Sequence, residues 1–133
     1  MAVIERLGFA GWFGAAIWFS AFGTSALFGG LGLAGAAGPL DLLFASLFWF
    51  CAGCGCVALV GAVATRARPR GGLRIAMAAA VLAAGLCLSL VIEPWFGRTA
   101  GNPASFAAAH TTSFVLALLA WLASAVGLGA ERA

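Results

Sequence analysis

Three cysteines close together are the residues in this sequence with the clearest capacity for chemistry. They form the run Cys51-Ala-Gly-Cys54-Gly-Cys56 inside a long uncharged stretch. On a helix, Cys51 and Cys54 would lie on one side, whereas Cys56 would point roughly to the opposite side. Soft thiolate ligands favour Cu(I), Hg(II) and similar ions, so the pair could hold a metal. The alternative is that these small side chains pack against neighbouring helices.

His110 is the only histidine, and it also lies in an uncharged stretch. An ionisable residue within a membrane span is a functional hypothesis by default, and an imidazole can bind a metal or relay a proton. The alternative is a neutral ring hydrogen-bonded to Ser113, Ser25 or a backbone carbonyl. At a rise of about 1.5 Å per residue, Ser25, Cys87 and His110 each lie roughly 10 Å deep, and they could converge if their helices are neighbours. We therefore predict four metal ligands: Cys51, Cys54, Cys87 and His110.

Other polar and aromatic residues could border a pathway or an interface. Glu93 precedes Pro94 at the end of the third uncharged stretch, where it could guide cations or pair with Arg98. Asp41 directly precedes the second stretch, near the start of its helix. It could be a ligand, or it could interact favourably with the helix dipole. The predicted pathway or interface residues are Glu93, Asp41, Ser25, Ser113 and Trp18.

The elements that carry these residues are transmembrane helices. The chain of 133 residues is 64% hydrophobic and only 8% charged, against roughly 25% charged in a soluble domain. Its charges separate four uncharged stretches that can each supply the roughly 20 residues of a span. We predict one all-α domain over residues 1–133, an integral membrane four-helix bundle with helices at about 8–31, 41–65, 74–93 and 103–129. Glycines 29, 30, 32, 35 and 38 and Pro39 should end the first helix.

The distribution of arginines predicts the orientation, because basic residues favour the cytoplasmic side. Arg98 alone lies on one side of the predicted bundle, opposite Arg6, Arg66, Arg68, Arg70, Arg74 and Arg132. We predict an N-in/C-in topology, with both termini cytoplasmic. Abundant Ala, Gly and Arg without lysine indicate GC-rich coding, so we place the chain in a bacterial inner (plasma) membrane. Orientation explains the basic loop, and we expect no nucleic-acid partner.

Small residues at helical spacing predict the packing faces, since helices in lipid associate by close approach. On the fourth helix, Val115, Leu118, Leu122 and Val126 should face lipid. The predicted packing stripes are Gly11, Gly14, Trp18, Ala21 and Ser25; Cys51, Cys54, Ala58, Gly61 and Thr65; Ala76, Ala80, Ala83 and Cys87; and His110, Ser113, Ala117, Ala120, Ser124 and Gly127.

The run GAAIWFSAFGTSALFGGL, from Gly14 to Leu31, resembles the first helix of the family around transmembrane protein 205 and its bacterial relatives. The similarity continues through Leu43-Phe44, Glu93-Pro94, and His110 with Ser113. The chain departs from the family pattern at Gly29, where a basic residue is common, and at Ala117, where an Asn is common. The resemblance implies a four-helix membrane domain and a loose link to metal or drug handling.

These observations favour a small protein, not an enzyme, that transports or binds a soft metal ion or small solute across the plasma membrane. Four short helices enclose little volume, so we expect a homo-oligomer surrounded by membrane lipids. The alternatives are a non-catalytic structural or accessory membrane subunit and a membrane thiol oxidoreductase. The last is disfavoured because reactive Cys-x-x-Cys pairs usually sit at a helix N-terminus.

Overall fold

The described structure is almost entirely helical, with a short loop at residues 65–70. The computed structural model describes residues 1–98 and 102–130, without the side chains of residues 24, 27, 28, 32–41 and 97. Its α-helices are α1 (Ala2–Trp18), α2 (Thr24–Ala64), α3 (Gly71–Cys87), α4 (Glu93–Arg98) and α5 (Pro103–Ala130). Two π-helical turns, Phe19–Gly23 and Leu88–Ile92, follow α1 and α3. The predicted all-α class is confirmed.

Four helical segments are long and apolar enough to cross a membrane. They are the first span (Ala2–Gly23), the second (Leu42–Ala64), the third (Gly71–Phe96) and the fourth (Pro103–Ala130). Helices suit lipid because every backbone N–H and C=O group is bonded within the segment. The predicted four-span membrane architecture is therefore confirmed.

The fourth span begins as its sequence predicts. Pro103 is the first helical residue. The backbone N–H of Ser105 donates to Oδ1 of Asn102 at 3.2 Å. Asn102 is therefore the N-cap, and proline occupies the position where its missing N–H removes no helical bond.

The first and second spans pack antiparallel although helical backbone connects them. The rings of Phe19 and Phe44 lie 5.0 Å apart between centroids. A straight helix would separate residues this far apart in sequence by about 37 Å. The helix axis therefore turns back between Gly23 and Leu42.

This connection differs from the predicted one. We expected the glycine cluster and Pro39 to end the first helix near residue 31, whereas helical backbone in α2 continues across that region. Each glycine weakens a helix by about 1 kcal/mol, but each unpaired backbone group in lipid costs several kcal/mol. The second effect is larger, which favours helical backbone across the connection even though Pro39, which has no N–H, cannot donate a helical hydrogen bond there.

Glycines bring the neighbouring helix backbones into direct contact. A Cβ at Gly8 would lie 2.5 Å from the backbone nitrogen of Ala58. A Cβ at Gly55 would collide with Leu82, and one at Gly85 would collide with Ala52. The first span thus packs on the second, and the second on the third, while the fourth closes the bundle against the third and the first.

The packing face of the second span agrees with the prediction, and that of the fourth span agrees from Ala120 onward, whereas His110 is exposed and Ser113 and Ala117 are half-buried. All five residues of the second stripe, Cys51 to Thr65, are buried. On the fourth span Ala120, Ser124 and Gly127 are buried. The four residues predicted to face lipid are exposed: Val115, Leu118, Leu122 and Val126.

The predicted stripes of the first and third spans are wrong at most positions, and only Gly11 and Cys87 are half-buried. Gly14, Trp18, Ala21 and Ser25 are exposed, and so are Ala76, Ala80 and Ala83. The residues that face the core are instead Glu5, Gly8, Phe9, Trp12, Ala78, Val81, Ala84 and Leu88. Close packing needs a small residue on only one of two helices. The ring of Phe9, for example, packs where a Cβ at Gly127 would lie.

Candidate functional site

A buried ion pair joins the first and third spans at the end of the bundle nearest the N-terminus. Glu5 is 0% exposed and Arg74 is 2% exposed. Arg74 Nε lies 3.2 Å from Glu5 Oε1. Taking two such charges out of water is expensive, and only close pairing with further hydrogen bonds offsets that penalty.

Thr65, at the end of the second span, supplies those further hydrogen bonds. Arg74 Nη2 donates to the Thr65 carbonyl at 2.9 Å and to its hydroxyl oxygen at 2.7 Å. The Thr65 hydroxyl lies 3.0 Å from Glu5 Oε2 and 2.8 Å from the Gly61 carbonyl oxygen. Its single hydrogen can serve only one of these acceptors at a time. We call Glu5, Thr65 and Arg74 the polar cluster.

Local sequence places the three side chains of the polar cluster together. A Cβ at Gly61 would lie 2.6 Å from the backbone nitrogen of Glu5, so the missing side chain lets the first span approach closely. Thr65 follows one turn after Gly61. Arg74 lies in the first turn of the third span, directly after the connecting loop. The cluster therefore ties three spans together at one end.

The polar cluster was absent from the predicted sites. From the sequence alone, Glu5 and Arg74 are charges on the same side of the membrane, with no motif to indicate that they touch. The signal available in the sequence was that Glu5 lies near the start of the first span and Arg74 lies within the start of the third, both on the same side of the membrane. A charge within a span must find a partner, and opposite charges at one membrane surface are the natural pair.

Cys51 and Cys54 are both buried, but their sulfur atoms contact different helices. Cys51 Sγ lies 3.7 Å from the carbonyl oxygen of Val81 on the third span. Cys54 Sγ lies 3.1 Å from the position of a Cβ on Gly11 of the first span. Each thiol therefore fills a contact between two helices, in agreement with the packing alternative.

The predicted metal ligands are not brought together as one group. Cys51, Cys54, Cys56 and Cys87 are free thiols, of which Cys56 is exposed and Cys87 half-buried. Among the side chains that the structure describes, which do not include Asp41, no three from His, Cys, Asp and Glu are placed to hold a metal ion.

His110 is exposed on the fourth span rather than turned into the bundle. Its ring stacks on Phe106, with centroids 6.3 Å apart and planes at 11°. The Ser113 hydroxyl donates to the backbone carbonyl of His110 at 2.7 Å, not to its ring. The predicted Ser113–His110 contact therefore exists, but through the backbone.

The remaining predicted pathway residues are also dispersed. Glu93 is exposed at the start of α4. Ser25 and Trp18 are exposed, with Trp18 at 58%. The backbone of Asp41 is helical, but its side chain is outside the part of the chain that the structure describes.

Two open apolar grooves flank the later part of the first span, residues 14–22, which we call the open half. The first groove, of about 460 Å³, lies against the second span. The other, of about 520 Å³, lies against the fourth. Their lining residues are Gly14, Ala15, Trp18, Phe19, Leu43, Ser46, Leu47 and Phe50, and Ala16, Ile17, Ser20, Ala21, Phe114, Ala117, Leu118 and Trp121.

Comparison with known proteins gives one family. A model described as a domain of unknown function, DUF4149, matches residues 7–102. This range covers most of the chain and ends at the N-cap of the fourth span. No curated protein and no solved structure matches the chain.

Proposed function

Because the chain belongs to the DUF4149 family of unknown function, we propose a function from its geometry: a non-catalytic accessory membrane protein that packs a partner's transmembrane helix against its open half. The observation that carries this proposal is the contrast within the first span. Glu5, Phe9 and Trp12 are at most 1% exposed, whereas Ile17, Trp18 and Phe22 are between 45% and 64% exposed.

The groove between the first and fourth spans suits a helix better than a polar solute. The small residues Ala16, Ser20 and Ala117 line it together with the aromatic residues Phe114 and Trp121. In lipid, helices associate by van der Waals packing and close backbone approach, which small residues four apart permit. Ala16 and Ser20 have that spacing. A partner helix would fill the groove with matched apolar surface.

Filling the groove tests this proposal. Ala21→Leu adds bulk to the groove wall, and Ala80→Leu adds the same bulk to an exposed face of the third span. In native membranes, a photo-crosslinker at Ile17 should capture a protein, and Ala21→Leu should reduce the yield at least about fivefold, since overpacking costs typically 1–3 kcal/mol. Ala80→Leu should leave the yield unchanged. Capture of lipid alone would overturn the proposal.

The mass of the crosslinked product distinguishes two outcomes: a second copy of this chain or another membrane protein. A second copy would make the protein a homo-oligomer, as we expected from the sequence. Purified protein alone would then give the same crosslink after reconstitution. A heterologous partner would be lost on purification.

Passage of a soft metal ion or small solute is a second candidate function. The observation in its favour is that one helix buries two free thiols, Cys51 and Cys54. Thiolates are the ligands that Cu(I) and Hg(II) prefer. Titration of the purified protein with Hg(II) tests the idea, with Cys56→Ser as a control for the exposed thiol. If Cys51→Ser and Cys54→Ser both bind Hg(II) with the affinity of the unaltered protein, neither buried cysteine takes part in such a mechanism.

We also propose that the protein lies in a bacterial inner membrane with both termini in the cytoplasm. The support is the distribution of its arginines, with Arg98 alone at the opposite end of the bundle. We further propose a relation to the transmembrane protein 205 family, supported by the run from Gly14 to Leu31, and this relation suggests metal or drug handling as a context for the accessory role.

A further inference from the structure

We propose that the loop between the second and third spans binds the phosphate of an anionic glycerophospholipid through Arg66, Arg68 and Arg70. All three side chains are exposed. Among the residues that the structure describes, none forms a hydrogen bond or an ion pair with their guanidinium groups. This surface is independent of the open half that carries the proposed function.

The position of the loop selects a lipid headgroup as the ligand. The second span ends at Ala64 and the third begins at Gly71, so the loop lies at the level of the headgroups. At that level the negative groups are lipid phosphates, which guanidinium binds through two parallel hydrogen bonds. Basic residues beside a span attract anionic lipids.

Among the residues that the structure describes, no acid forms an ion pair with the exposed arginines of the loop. The fourth arginine of this region, Arg74, is buried and paired with Glu5. Residues 65–70 contain no acid. Three positive charges therefore remain at the surface of one short loop.

The polar cluster holds this loop in one conformation. Arg74 donates to the Thr65 carbonyl at 2.9 Å, which fixes the first residue of the loop. The Arg68 backbone N–H donates to Thr65 at 3.0 Å, and that of Gly71 donates to Arg68 at 3.1 Å. Arg66 also lies against the backbone of Gly71, where a Cβ would collide with the Arg66 carbonyl. A loop ordered in advance loses little entropy when a ligand binds.

Arg70 has a left-handed backbone conformation, with φ 57° and ψ 24°. It is the single non-glycine residue with positive φ in the described chain. Glycine would adopt this conformation without the strain that a larger residue carries. A phosphate ligand gives the arginine side chain a role that glycine could not fill. Arg70→Gly therefore separates backbone strain from lipid binding. It should relieve the strain at residue 70 and at the same time weaken lipid binding.

The test uses the full chain reconstituted in bilayers that contain a trace of spin-labelled phosphatidylglycerol or phosphatidylcholine. The fraction of immobilised label gives the preference of the protein for the anionic lipid. We expect a preference for phosphatidylglycerol that falls at least about fivefold in the variant R66Q/R68Q/R70Q, which corresponds to about 1 kcal/mol. Arg70→Gly alone should lower it in the same direction. Arg98→Gln removes one charge at the other end of the bundle and should change nothing.

Three results would overturn the proposal. One is an equal association of both lipids with the unaltered protein, and another is an unchanged preference in the triple variant with its helical content preserved. The third is complete displacement of phosphatidylglycerol by inorganic phosphate, which would identify free phosphate rather than lipid as the ligand. A preference that persists in inorganic phosphate supports the lipid.

Discussion

Replacing Arg74 by methionine should be among the most destabilising single changes in this bundle. Methionine keeps much of the volume of the side chain but removes the charge beside Glu5 and both donations to Thr65. At 3.2 Å and an effective dielectric constant of about 20, the lost attraction is about 5 kcal/mol. Glu5 remains 0% exposed and has lost its counter-charge. Breaking a buried pair in this way typically costs about 3–5 kcal/mol, and we expect a loss in that range.

The measurement is the free energy of unfolding in mixed micelles titrated with SDS and followed by tryptophan fluorescence. Arg68→Gln is the matched control, because it removes an exposed arginine a few residues away and should change stability by less than about 1 kcal/mol. The double variant Glu5→Gln with Arg74→Met leaves no unpaired charge. Its loss in free energy of unfolding should be at least about 2 kcal/mol smaller than the sum of the losses in the two single variants.

An Arg74→Met variant that behaves like Arg68→Gln would refute this reasoning. So would strictly additive single and double changes. Either result would mean that water reaches Glu5 and Arg74 and screens their interaction, and that the three spans are held together by apolar packing alone.

Three further outcomes are expected. Gly85→Ala should lower the free energy of unfolding by about 1–3 kcal/mol because its Cβ would collide with the second span, whereas Gly53→Ala, with open space around it, should be neutral or slightly stabilising in the same SDS titration. Cys56 should react with a maleimide in the folded protein much faster than Cys51, which is 0% exposed, and equal rates by mass spectrometry would contradict the packing described above. In the variant Arg68→Cys, a membrane-impermeant reagent should label residue 68 only after spheroplasts are lysed. Labelling of residue 68 in intact spheroplasts would show that the orientation is the reverse of the proposed one.

The sequence predicted the number of spans and two of the four packing faces. On the second span, cysteine, alanine and glycine follow one stripe and larger residues lie elsewhere, so small size identified the core side. On the third span small residues occur all round the helix, and the same criterion selected Ala76 and Ala80, which are exposed. Size alone cannot choose a face when both faces are small.

The candidate site was less predictable because it depends on pairing between spans. The spacing of Cys51 and Cys54 correctly placed both thiols in the core, but it gave no information on which neighbour each would contact. Glu5 and Arg74 are far apart in sequence, and each was explained well enough by membrane orientation alone. Their contact follows from the close approach of the first span at Gly61, a tertiary property that no local pattern expresses.

The burial of Glu5 has a consequence for the order in which the protein assembles. Arg74 is added to the growing chain 69 positions after Glu5, which at 5–20 residues per second takes roughly 3–14 seconds. During that interval the carboxyl group has no counter-charge and is best left in the aqueous headgroup layer. The N-terminal end of the first span can therefore sink to its final depth only once the third span has entered the bilayer. Full insertion of the first span therefore depends on insertion of the third span. In a nascent chain stalled before Arg74, the first helix would still be displaced toward water.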